Sequence, residues 1–163
     1  MSSDSLTTYL NDHLAGSVVA LELLDHLLQD RRNDGGELTR VRAEIEQDQQ
    51  TLRQILADVG GKESPVRKAA AWLSEKLGQA KLRWDAREHV ELRSLETLEA
   101  LALGIQGKAA LWRALAAIAG SVPALRKFDF SRLEQRAAGQ FDRVDAIRLR
   151  TATAALTLRE TNG

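Results

Sequence analysis

The chain has 163 residues, enough for one domain with its own core, and its 44% hydrophobic and 28% charged residues are ordinary for a globular protein. Its 23 basic and 23 acidic side chains cancel, so no long-range field draws it to nucleic acid or an anionic membrane. Cys is absent, which excludes disulfides, thiol chemistry and Cys-based zinc sites.

Ala and Leu dominate the apolar set and only two Pro occur, a composition of helix formers. With neither a secretory leader nor an apolar run of about 20 residues in view, a cytoplasmic, all-α, single domain over residues 1–163 is expected. Ser5 caps a first predicted helix over 6–31, which ends at the turn Asn33-Asp34-Gly35-Gly36. At about 100° per residue, Leu10, His13, Leu14, Ser17, Leu21, Leu24 and Leu28 share one face, widened by Tyr9, Ala20, Leu23 and Leu27. So broad an arc predicts cover by more than two neighbours or a subunit contact, and a homo-oligomer through this helix is the expected assembly.

The second helix is predicted over 37–59 and stops at Gly60-Gly61. Its inward stripe is Leu38, Val41, Ile45, Asp48, Leu52, Ile55 and Val59, and the short turn makes it antiparallel to the first. Ser64-Pro65 opens a third helix with an Ala-rich face that reaches about Arg83. Asp85 caps a long fourth, lined by Glu91, Leu95, Leu98, Ala102, Ile105, Ala109 and Trp112, in which Gly104 and Gly107 mark a bend or the close approach of another backbone. Gly120 and Pro123 end it. Asp129, or Ser131 with Glu134, starts the last helix, which runs to about Leu158 with Leu133, Ala137, Gln140, Val144, Ile147 and Thr151 inward. Two hairpins joined by a helical crossover give a four-helix bundle of ferritin-like topology, with a five-helix array as the competitor.

The run Tyr9-Leu10-Asn11-Asp12-His13-Leu14-Ala15-Gly16, the second helix ending Leu56-Ala57-Asp58-Val59-Gly60, and the stretch from Leu103 to Leu115 resemble small bacterial ferritin-like proteins of unknown function. The wider ferritin-like superfamily implies a di-iron or di-manganese site, with a Glu from each of two helices and an inward Glu-x-x-His pair from each of the others. This chain departs from that pattern at every helix. Glu22 and Glu46 face outward, the second helix has no His, His89 is not inward, and the last helix offers neither Glu nor His to the interior. Only His13, Asp48 and Glu91 remain as inward candidates for a reduced metal site. The metal set reads as lost, and no cofactor is expected.

An ionised carboxylate in a core seam must find partners, which makes Asp48 the most informative residue. One reading is a structural polar layer in which Asp48 meets Arg148 and the hydroxyls of Ser17 and Thr151. The other is a rebuilt ligand pocket. Three functions follow: a non-catalytic bundle acting through self-association or protein contacts, a metal-binding or oxidoreductase protein using His13, Asp48 and Glu91, or a carrier of an apolar small molecule. The third predicts an internal cavity.

Overall fold

The computed structural model describes residues 4–29, 35–64 and 90–157. Among them are four α-helices and no strand: α1 (Asp4–Gln29), α2 (Gly35–Asp58), α3 (Val90–Ile118) and α4 (Phe130–Leu156), with a 3-10 turn at Pro123–Leu125. The predicted third helix, with Trp72, Trp84, Asp85 and His89, lies outside the described residues. None of the described helices is long and apolar enough to cross a membrane.

Local chemistry sets the boundaries. At the end of α2, Gly60 takes φ 76°, a left-handed conformation that only glycine adopts without a side-chain clash. Its N–H donates to the Ala57 carbonyl at 2.9 Å and that of Gly61 to the Leu56 carbonyl at 2.9 Å, a Schellman closure that satisfies two terminal carbonyls. Of the two predicted caps for α4, Asp129 is the one used, its carboxylate accepting from the Arg132 N–H at 3.0 Å. Gly104 and Gly107 neither end α3 nor admit a neighbouring backbone. The helix continues through both, and among the described residues nothing lies within 4 Å of where their Cβ atoms would be.

Polar pairs across the seams fix helix direction. Arg42 meets Asp25, Gln49 meets Ser17 and the Lys62 carbonyl meets Asn11, so α1 and α2 are antiparallel. Arg143 meets Glu44 and Lys127 meets Asp58, so α2 and α4 are antiparallel. Arg148 meets Glu99 and Arg113 meets Glu134, so α3 and α4 are antiparallel as well. It follows that α2 and α3 run in the same direction. The four helices form a ring in which α1 neighbours α2 and α3, and α4 neighbours α2 and α3.

The core is aliphatic, with Leu14, Leu24, Leu38, Ile55, Leu98, Leu101 and Leu115 fully buried around Trp112. Each such side chain contributes about 1.5–3 kcal/mol by leaving water. The inward stripe predicted for α2 is buried at every position. On α1, Ala15 and Val19 are also buried, while Leu21 and Leu28 are only partly so. Among the described residues the exposed large apolar side chains are Leu103, Ile118, Leu149 and Leu156, none of them on α1, whose broad arc packs against α2 and α3.

Candidate functional site

At mid-height α2 places Asp48 on the bundle axis, where it is 2% exposed. Its neighbours in the stripe are Ile45 and Leu52, so the carboxylate has no water to fall back on and must be met by protein donors. Three reach it. Lys108 of α3 donates from Nζ to Oδ2 at 2.5 Å, Gln140 of α4 donates from Nε2 to Oδ2 at 3.1 Å, and the Arg136 guanidinium donates to Oδ1. Lys108 also donates to Gln140 Oε1, and Arg136 to Gln47 Oε1 at 3.3 Å. One turn away, Arg143 donates to Glu44 at 2.6 Å. Burial works to raise the Glu44 pKa, but hydrogen bonds from Arg143 and Gln140 outweigh it and hold the group below the usual carboxylate range.

This cluster differs in membership from the layer expected of Ser17, Asp48, Arg148 and Thr151. Arg148 lies about 12 Å further along α4 than Gln140, at 1.5 Å per residue, and pairs with Asp145 and Glu99. Thr151 donates back to the Ile147 carbonyl. Ser17 is at the expected level, yet its hydroxyl accepts from Gln49 Nε2 at 2.9 Å and donates to the Leu14 carbonyl. Lys108 and Arg136 were invisible as core residues because each sits beside its helix's apolar stripe and reaches inward along its aliphatic stem. A signal did exist: two long cations flank the stripes of helices that must neutralise one inward acid.

Above the cluster, between α1, α2 and α3, is a cavity of about 210 Å³. Helix α1 contributes His13, Gly16, Ser17 and Ala20 to its wall; α2 contributes Ile45, Asp48, Gln49 and Leu52. From α3 come Gly104, Ile105, Gly107, Lys108, Leu111 and Trp112. Asp12, Gly16 and Gly104 are exposed and mark its open side. Gly16, Gly104 and Gly107 each leave room for a Cβ among the described residues, so the missing side chains account for part of the space.

Burial dominates the electrostatics here. It lowers the His13 pKa against the upward pull of Asp12, leaving a neutral imidazole packed edge-on against Tyr9 at 4.7 Å. It likewise lowers the Lys108 pKa, opposed by the adjacent Asp48 carboxylate.

The three residues considered for a reduced metal site are not assembled. His13 and Asp48 share the cavity, but Glu91 lies about 25 Å from Lys108 along α3. Both Asp48 oxygens are already occupied by donors. Among the described residues no group of three or more His, Asp or Glu is placed to hold a metal ion. What the arrangement offers is a small, mainly apolar space with a polar floor. Comparison with family models, curated proteins and solved structures finds no match for this chain.

Proposed function

We propose that this chain is a non-catalytic ferritin-like bundle that binds a small, largely apolar molecule in the cavity between α1, α2 and α3. The observation that carries the proposal is the cavity itself. A space of about 150 Å³ lined by aliphatic side chains is enough for benzene, and this one, at about 210 Å³, has room for a ring with a short substituent. Ile45, Leu52, Ile105 and Leu111 supply the apolar contact that such a ligand needs. The glycines strengthen the reading. Each glycine inside a helix costs about 1 kcal/mol relative to Ala, and three of them line this wall where a Cβ would meet no neighbour among the described residues.

The ferritin-like reading draws on helix direction. With α2 and α3 parallel, the chain leaves α2 at one end of the bundle and enters α3 near the other, as in folds with one long crossover. Metal chemistry has less support, since the cluster is rich in donors where a metal site needs free carboxylates.

Titration of the isotopically labelled protein with toluene, followed by NMR, tests the proposal. Saturable shifts confined to α1, α2 and α3 around the cavity are expected. Gly107→Leu, which projects a side chain into the space, abolishes them while circular dichroism stays helical. Absence of saturable binding refutes the proposal.

A further inference from the structure

Each acceptor on the polar surface of the cavity already takes at least one donor: the Asp48 oxygens take three, Gln140 Oε1 takes Lys108, Gln49 Oε1 takes Arg53 at 2.9 Å, and Ser17 Oγ takes Gln49. Lys108 has a donor to spare. An ammonium has three N–H bonds, and those of Lys108 that are accounted for go to Asp48 and Gln140, leaving one. A buried donor left unpaired is costly, so this position favours a molecule that brings an acceptor.

Charge points the same way. Lys108 and Arg136 both bind Asp48, two cations on one carboxylate, and Lys108 is 13% exposed. Among the described residues, the one other acid on the wall is Asp12, which is exposed at the mouth, where water screens it. His13 is neutral and adds no charge.

We infer that the ligand of this cavity is a ring-sized apolar molecule ending in a carboxylate, its oxygens directed at Lys108. The inference rests on the cavity being a binding site, as proposed above. The apolar body lies against Ile45, Leu52 and Ile105, and the oxyanion supplies the missing acceptor. A ligand ending in an ammonium meets Lys108 and Arg136 as like charges.

Benzoate, toluene and benzylamine, titrated separately into the full chain by NMR, separate the two ideas. Benzoate binds about tenfold or more tightly than toluene, and benzylamine no more tightly than toluene. Lys108→Met removes the benzoate advantage and keeps toluene binding. Should that variant unfold because Asp48 loses a partner, the paired Asp48→Leu/Lys108→Met variant, which removes both charges, serves as the readout. Toluene binding as tightly as benzoate, or a benzoate preference that survives both Lys108 variants, overturns the inference and leaves the apolar-cavity reading standing. Binding of none of the three overturns both.

Discussion

Asp48 ties α2 to α3 and α4 through Lys108, Arg136 and Gln140, and the worth of that tie depends on what is removed. Deleting one member of a buried ion pair strands the other. Asp48→Ala is expected to lower stability by about 3–5 kcal/mol in denaturant unfolding, because Lys108 and Arg136 lose their shared counter-ion. Replacing Asp48, Lys108, Arg136 and Gln140 together by Leu, Met, Met and Leu costs much less, since no member of the cluster is left without its partner. Equal losses from the single and the quadruple variant would refute this account. His13 gives the pH dependence. Its folded pKa lies below the unfolded value of about 6.5, so the unfolded chain binds the proton more readily. Stability is therefore lost as pH falls through about 6.5 towards the lower folded pKa, and the melting temperature drops over that window. In His13→Gln the drop is smaller. Asp48 itself was legible in the sequence as the one acid in the apolar stripe of α2. Its partners were not, because the vertical register between α2 and α4 is set by tertiary contacts such as Lys127 with Asp58, which helix periodicity does not encode.

Among the elements, helix ends were more legible than helix interiors. Gly60-Gly61 and Asp129 announce themselves through turn and cap chemistry that acts within a few residues. Glycine inside a helix has no such local meaning: α3 continues through Gly104 and Gly107, and among the described residues no neighbour packs closely at either. The difference predicts opposite signs for one substitution. Gly60→Ala forces a Cβ into a left-handed residue and destabilises by about 1–2 kcal/mol. Gly104→Ala adds helix propensity in open space and stabilises by about 0.5–1 kcal/mol, as does Gly139→Ala on α4. The two stabilising variants part at the cavity. Gly104 lines it and Gly139 does not, so only Gly104→Ala changes toluene affinity. Thermal unfolding and the NMR titration measured on the same three proteins check both halves.

For the whole molecule, the decisive property is that α2 and α3 point the same way. A chain whose hairpins followed one another without a crossover would start α3 beside the end of α2. Here Lys62, at the foot of α2, is held at the level of Asn11, and α1 meets α3 across the cavity with His13 in the neighbourhood of Leu111 and Trp112. Glu96 lies roughly 16 residues before that level, about 25 Å along the axis at 1.5 Å per residue. Both positions are exposed, and the chain has no Cys to interfere with labelling. Spin labels at Lys62→Cys and Glu96→Cys are therefore expected about 25–30 Å apart in pulsed electron resonance, the axial offset combined with the diagonal of the helix ring, about 14 Å where neighbours are about 10 Å apart. A distance near that diagonal would mean that α3 runs the other way, and would remove the ferritin-like reading. It would also change which α3 residues line the cavity with Lys108, since Gly104 and Trp112 would exchange levels along the bundle. One distance thus bears on topology and binding site together.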